Sequence, residues 1–342
     1  GIYIEAKENR IILKGTDLEL SINTEISGEI NSEGKIVIKH KLIEEFLKQI
    51  LDEKIELIEE QGKLIIRTDS TNTEFSLYDA ENYPTPSRFE MGVEYTFEKS
   101  KLLANIENVK ISASTDAENL AVNCIRLEIE DNKLKLVSSD TYRLTYIEEE
   151  LEENQKNKEG LSVSIPLKTI DGLIKIMKLI DEETISFKSD GTRVFFKFSN
   201  VEILTRVIEL QFPDYKSILK SAQHDKKILL NTKDFLSVLK RTLIFVRDNK
   251  DSKNGGIFSF ENNKLILTGI SENAKIKEEL ATIQEGENLK ISLNVKFLVD
   301  YISIIGGKVT ELKLLNSKSS VVVKDEADDK SVYFTMPLAL RE

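Results

Sequence analysis

Polar and apolar positions alternate with a period of two over most of this chain, and one version of that pattern recurs three times. Residues 9–17 (NRIILKGTD), 132–140 (NKLKLVSSD) and 263–271 (NKLILTGIS) each follow a polar turn, form an alternating strand, turn again and enter a second strand. Strict alternation marks half-buried strands, and two polar residues between such runs mark a tight hairpin. The copies begin 123 and 131 residues apart, a domain-sized spacing too long for a solenoid repeat. Each copy leads into an amphipathic helix, at 40–51, 167–180 and 294–305, and then into more strands, for example 184–188, 193–199 and 202–210. In the second and third copies a strand and helix also come first, at 95–97 with 99–111 and at 227–230 with 232–247. The first copy lacks that element, roughly thirty residues by the repeat register. The chain therefore reads as starting inside its first unit.

Three domains are expected, over 1–90, 91–218 and 219–342. The two prolines of 82–87 (NYPTPS) close the first, and 212–216 (FPDYK) with the polar stretch 221–226 closes the second. The charge run 148–160 (EEELEENQKNKEG) reads as a solvated loop, 325–330 as a hairpin turn, and Gly255-Gly256 as a turn into a strand. Mostly antiparallel strands with at most two helices per unit predict an α+β class.

Composition narrows the chemistry. With 342 residues, 40% hydrophobic and 31% charged, the chain can build real cores. Its single cysteine, Cys124, excludes an internal disulfide and a cysteine-clustered metal site. Lying in the alternating stretch 120–130, that residue reads as a small core side chain. His40 and His224 are the only histidines and read as exposed. No glycine-rich phosphate loop, zinc-protease motif or nucleophile elbow occurs. Neither a catalytic residue nor a cofactor or metal is expected. A carboxylate-based hydrolase or transferase stays open only through the abundance of acids, and Asp181-Glu182-Glu183 reads as a solvated turn. The apolar runs are too short to span a bilayer and no leader pattern opens the chain, so a cytoplasmic protein without membrane contact is expected.

A net charge of −11 argues against an ordinary basic-patch nucleic-acid binder. Its distribution qualifies that. Counted at 100° per residue, Lys168, Lys175 and Lys178 lie opposite the apolar stripe Ile170, Leu173, Ile174 and Met177. Lys233, Lys240, Arg241 and Arg247 likewise oppose Phe235, Val238, Leu239, Phe245 and Val246, with Ile244 stranded on the charged side. Five helix windows together carry +6 and the remainder of the chain −17. If the helices share one face, that face attracts a polyanion that the rest repels.

Residues 138–144 (SSDTYRL), 212–215 (FPDY) and 333–338 (YFTMPL), with the threefold repeat, resemble the bacterial sliding-clamp family, the beta subunits of DNA polymerase III. The resemblance spans the whole chain. It implies three clamp-type domains per chain, sheets outside and helices inside, forming half of a ring that a head-to-tail homodimer closes around double-stranded DNA. It implies no catalysis, and a topological hold for which a modest basic lining suffices. The trimeric clamps of archaea and eukaryotes carry two units per chain and fit less well. On this resemblance Lys99, Lys101, Lys168, Lys175, Lys178, Lys233, Lys240, Arg241 and Arg247 face DNA.

The resemblance also implies a pocket between domains two and three for short Leu/Phe-anchored peptides of the replicative polymerase, clamp loader and repair polymerases. Its wall takes Val122, Ser139, Thr141, Tyr142, Arg143 and Leu144 from domain two, and Pro213, Ser217 and Ile218 from the connecting segment. Asn294, Phe297, Lys318, Phe334, Met336, Pro337 and Leu338 complete it. Thr141-Tyr142 stands where the family has Gly-His, Lys318 replaces an apolar position, and the terminal Arg341 is displaced. Phe75, Phe245 and Val246 are the expected dimer-interface residues.

Overall fold

The computed structural model describes residues 1–84, 89, 92–247 and 254–339. The first repeat comprises β1 (Ile2–Lys7), β2 (Arg10–Thr16), β3 (Leu20–Ser27), β4 (Gly34–Ile38), α1 (His40–Leu47), β5 (Glu56–Glu60), β6 (Lys63–Arg67) and β7 (Asn72–Tyr78). The second comprises β8 (Glu94–Glu98), α2 (Lys99–Lys110), β9 (Cys124–Glu130), β10 (Lys133–Ser139), β11 (Arg143–Glu150), β12 (Leu161–Pro166), α3 (Leu167–Leu179), β13 (Thr184–Ser189), β14 (Arg193–Phe198) and β15 (Val201–Arg206). A short helix, α4 (Tyr215–Ser221), leads into the third. There follow β16 (Lys226–Asn231), α5 (Thr232–Val246), β17 (Gly255–Glu261), β18 (Lys264–Ile270), β19 (Lys275–Ala281), β20 (Ile283–Glu285) and β21 (Leu289–Asn294). The chain continues with α6 (Val295–Ile302), β22 (Val309–Leu314), β23 (Val321–Asp325) and β24 (Ser331–Thr335).

The three polar turns behave alike. Glu8-Asn9, Asp131-Asn132 and Asn262-Asn263 all have positive φ, between 48° and 62°, and each joins two directly paired strands. Two successive left-handed residues match the twist of a two-residue hairpin, and asparagine tolerates that region. Helix starts are equally local: Asn231 and Asn294 cap α5 and α6, accepting from the Asp234 and Phe297 amides.

Strands do not sort by repeat. One compact unit, Gly1–Lys99 with Ile180–Val207, holds the sheet order β5-β6-β7-β4-β1-β2-β3-β15-β14-β13-β8. Within it β3 of the first repeat pairs antiparallel with β15 of the second, Thr24 opposite Val201. Ile4, Ile38, Ile43, Leu64 and Ile66 form one of its cores. The other unit, Ser100–Leu179 with Ile208–Glu342, holds β12-β9-β10-β11-β24-β23-β22-β16-β20 and the smaller sheet β19-β18-β17-β21. There β11 of the second repeat pairs with β24 of the third. The second repeat thus gives strands to both units, because bare edges of neighbouring repeats satisfy each other's backbone groups.

Three local readings change. Leu151 and Gln155 are buried inside the charge run, whose chain folds back so that the Leu151 amide donates to the Asn132 carbonyl, 2.9 Å. Gly255-Gly256 lies within β17, packed so closely on α6 that a Cβ at Gly256 would stand 2.6 Å from Val295 Cγ2. The connecting segment, read only as a domain boundary, contains α4, capped by Asp214.

Candidate functional site

β24 lies along β11 with Leu144 opposite Phe334 and Arg143 opposite Thr335. Beyond the strand the Met336 amide donates to the Tyr142 carbonyl at 2.8 Å, and the Leu338 amide to the Ser292 carbonyl at 2.8 Å. The tail therefore bridges β11 and β21. Val122, Cys124, Val137, Leu144, Phe212, Tyr215, Val322 and Phe334 form one buried cluster beneath this junction, with Leu219 of α4 packed against it. Burial pushes the Cys124 thiol up to about 11, which makes it a core residue rather than a nucleophile.

Beside the cluster, Tyr142, Ile218 and Met336 stay 64%, 38% and 46% exposed. Pro213, Phe297, Pro337 and Leu338 are half-buried. Large exposed apolar side chains around an apolar floor form a surface that gains by being covered.

Arg143 organises the rim. Its Nε donates to Asp140 Oδ2 at 2.8 Å and a terminal nitrogen to Asp300 Oδ2 at 3.0 Å. The guanidinium lies 4.1 Å from the centre of the Phe297 ring, a planar cation stacked on an aromatic face. Lys296 grips the same Asp300, 2.9 Å away. Tyr333 donates to the Phe297 carbonyl at 3.1 Å and stacks on Tyr301, centroids 4.5 Å apart. Burial pushes the Tyr333 hydroxyl up, and the adjacent Arg143 draws it part of the way back.

The turn before Arg143 is strained. Ser139 Oγ donates to the Arg143 carbonyl and accepts from the Thr141 amide, and Asp140 Oδ1 accepts from the amides of Tyr142 and Arg143. This holds Thr141 at φ 76°, where a β-branched residue pays about 1–2 kcal/mol. Glycine there regains less than that, since its own flexibility costs ~0.5–1 kcal/mol on folding. Thr141→Gly is expected to raise Tm by a degree or two, measured by scanning calorimetry; an unchanged or lower Tm would remove strain from the account of this turn.

The expected site residues separate into groups. Val122, Leu144 and Phe334 are buried in the floor, and Ser139 is buried in the turn. Asn294 is buried with its carbonyl oxygen occupied in capping α6, 3.2 Å from the Phe297 amide. Thr141, Tyr142, Ser217, Ile218 and Met336 are exposed. Lys318 stands exposed in a turn capped by Asn316, with no side-chain bond to the others among the described residues. Asp140, Asp300 and Tyr333 were missed as rim residues. Only Asp140 left a trace in sequence, three residues before Arg143; the other two meet it through β24 and α6. Arg341 and residues 85–87 of the first boundary lie outside the described residues.

The lysine-bearing helices present the stripes the periodicity predicts. Lys101, Lys168, Lys175, Lys178, Lys233, Lys240, Arg241 and Arg247 are exposed, and the opposing apolar residues of α3 and α5 are buried except the half-buried Phe245. Their charges are not equally available. Lys178 pairs with Glu107 of α2 at 2.6 Å, and Lys110 of α2 pairs with Asp171 of α3. Arg241 makes a two-pronged bond to Glu278, 2.6 and 2.8 Å. Lys99 donates to the Ile180 carbonyl, and Lys101, Lys168 and Arg247 also have partners. Lys175, Lys233 and Lys240 have no ion pair among the described residues.

The expected interface residues need correcting. Val246 is fully buried in the core around α5 and cannot meet another chain; Ile244, 61% exposed, occupies the outward position instead. Phe245 is half-buried. Phe75 is half-buried: it pairs with Leu64 of β6 and its ring packs on Phe46, centroids 5.7 Å apart, while β4 joins β7 only at Leu77 and Tyr78. The strands at the two ends of that sheet are β5 and β8.

Among the described residues no group of three acidic, histidine or cysteine side chains could hold a metal ion, and no helix is long and apolar enough to cross a membrane. Residues 1–87, 96–214 and 218–339 match the family descriptions "DNA polymerase III beta subunit" N-terminal, central and C-terminal domain. The beta sliding clamp of Staphylococcus epidermidis is 28% identical over 352 aligned positions, covering 99% of this chain and 91% of that protein. That of Halalkalibacterium halodurans is 25% identical with the same coverage. The DNA polymerase III beta subunit of Thermotoga maritima superposes with a TM-score of 0.93 at 27% identity, covering 100% of this chain and 91% of that one. A Pseudomonas aeruginosa clamp bound to griselimycin shares the fold, with a TM-score of 0.91 and 22% identity over 99% of this chain and 91% of that one.

Proposed function

Because the chain belongs to the bacterial DNA polymerase III beta-subunit family, the sliding clamps, whose members serve a polymerase rather than catalyse, we propose that two copies close head to tail around duplex DNA in the cytoplasm. We further propose that the junction of β11, β24, α4 and α6 is a pocket for short Leu/Phe-anchored peptides of the replicative polymerase, the clamp loader and repair polymerases. The three proposed domains run over 1–90, 91–218 and 219–342.

One observation carries the pocket reading: Tyr142, Ile218 and Met336 remain exposed around a buried apolar cluster, on a rim stiffened by the Arg143 bridge. Such a surface desolvates an aliphatic and an aromatic anchor, and methionine adapts to several partners. The overall acidity fits a ring that holds DNA by enclosure. Lys175, Lys233 and Lys240 then supply a weak attraction, while Lys178 and Arg241 are offset by their own acidic partners. A strong basic lining would oppose sliding. The two carboxylates on this rim, Asp140 and Asp300, are both engaged by Arg143, so the junction offers no free acid–base pair for the hydrolase alternative.

Ring closure is tested by sedimentation. A solution mass twice that of one chain is expected, falling to one chain in Ile244→Glu, which puts a charge where an apolar contact is proposed. A wild-type monomer at micromolar concentration would overturn the ring.

A further inference from the structure

A polar cluster centred on the buried Glu128 grips the start of α4. Glu128 of β9 is 7% exposed, and both its oxygens are occupied. Oε1 accepts from Arg126 Nε at 3.1 Å and Ser162 Oγ at 3.2 Å; Oε2 accepts from the Tyr215 hydroxyl at 2.8 Å and meets Lys216 Nζ at 3.3 Å. Four donors saturate a carboxylate. Burial alone would raise its pKa, but the bonds from Tyr215 and Arg126 and the charges of Lys216 and Arg126 hold it below the ordinary value. Glu130, two residues on and therefore on the same face of β9, accepts from Lys216 at 2.8 Å and Lys135 at 2.9 Å. Those bonds pull its carboxyl down to about 2.

Tyr215 and Lys216 are the first two residues of α4, and Ser217 and Ile218 are the next two. A seven-residue helix has little stability of its own, so its position comes from what grips it. Tyr215 is gripped on three sides, by Glu128 and by the rings of Tyr146 and Phe212, with centroids 5.9 and 6.4 Å away. We infer that Glu128, supported by Glu130, is a positioning residue for the partner pocket. By anchoring Tyr215 and Lys216 it sets the rotation of α4 and so places Ile218 in the pocket wall. This rests on the peptide-pocket reading and extends it to residues that touch no peptide.

The test titrates a fluorescently labelled five-residue peptide ending in Leu-Phe onto the full chain. Tyr215→Phe, which removes one oxygen, and Glu128→Gln, which keeps shape but not charge, are each expected to weaken binding five- to tenfold. Lys216→Met, at an exposed residue, supplies a variant whose folding is safe and is expected to weaken binding two- to threefold. The decisive readout is coupling: Ile218→Ala weakens binding in the wild-type background and has no further effect beside Tyr215→Phe. Hydrogen exchange at the amides of Leu219 to Ser221 quickens about tenfold in Tyr215→Phe while β10 amides stay protected. If Met336→Ala loses the peptide but Tyr215→Phe, Glu128→Gln and Lys216→Met bind like wild type, or if the Ile218→Ala effect persists unchanged, the positioning role is wrong and the pocket stands. If the wild-type chain does not bind the peptide at all, the pocket reading fails and takes this inference with it.

Discussion

The double substitution Arg143→Ala with Met336→Ala is expected to abolish peptide binding, by about a thousandfold in Kd. Two separate losses add. Arg143 is 12% exposed, and the carboxylates it bridges, Asp140 and Asp300, are 17% and 25% exposed. Losing a guanidinium that shapes the rim and faces the ligand costs about 2 kcal/mol of binding, the level of an arginine hot spot. Asp140 keeps its two backbone amides and Asp300 keeps Lys296, but the link from β11 to α6 is gone and Phe297 loses the cation over its ring. Met336, 46% exposed, contributes little to folding and about 2 kcal/mol as a contact residue. Together about 4 kcal/mol is a factor of a thousand. The single variants separate the terms: Arg143→Ala lowers Tm by a few degrees as well as affinity, whereas Met336→Ala lowers affinity alone. Arg143→Lys does not rescue, since an ammonium cannot address two carboxylates and stack on a ring at once. Fluorescence anisotropy checks this, and a double variant that binds with wild-type affinity would sink the pocket assignment.

Reversing Lys175, Lys233 and Lys240 to glutamate is expected to cut loading onto primed circular DNA about tenfold at moderate salt, while leaving the lifetime of the loaded complex unchanged. Encounter depends on the field of the unpaired cations, and each lost phosphate contact lowers the salt slope by about one. A closed ring on a closed circle has no end to slide from, so its residence is insensitive to charge. Reversing Lys178 and Arg241 instead is expected to do less to loading and more to stability, because each would repel the carboxylate it now neutralises, Glu107 or Glu278. The check is a gel-filtration assay of clamp retained on circular against linearised DNA. If the triple variant is lost from both at equal rates, enclosure is not what holds it.

Much of this was legible from residue order. The three left-handed turns at Glu8-Asn9, Asp131-Asn132 and Asn262-Asn263 are consequences of local sterics, which is why the repeat stood out. The helix faces follow from the 3.6-residue period, which puts Ile244 on the charged side of α5, where it is 61% exposed. Misreadings arose where a side chain's role depends on residues far away in the chain. Phe75, at the centre of β7, and Val246, at the end of α5, are apolar alike, and only packing distinguishes a ring resting on Phe46 from one offered to another chain. Ion pairing was invisible for the same reason: Arg241 and Glu278 are 37 residues apart, and Lys178 looked like any other solvent-facing lysine.

Residue order alone determined that one module is written three times, that its strands are antiparallel, and that the lysines of α3 and α5 oppose buried stripes. These depend on backbone sterics and periodicity, which act over a few residues. Tertiary structure alone decided which strand edges meet, so that β3 joins β15 and β11 joins β24 across repeat boundaries. It also decided which charges cancel and which apolar side chains stay uncovered beside Leu144 and Phe334. Those outcomes depend on closing loops of up to about two hundred residues, where the favourable terms are desolvation and edge pairing between distant segments and no local signal exists to read.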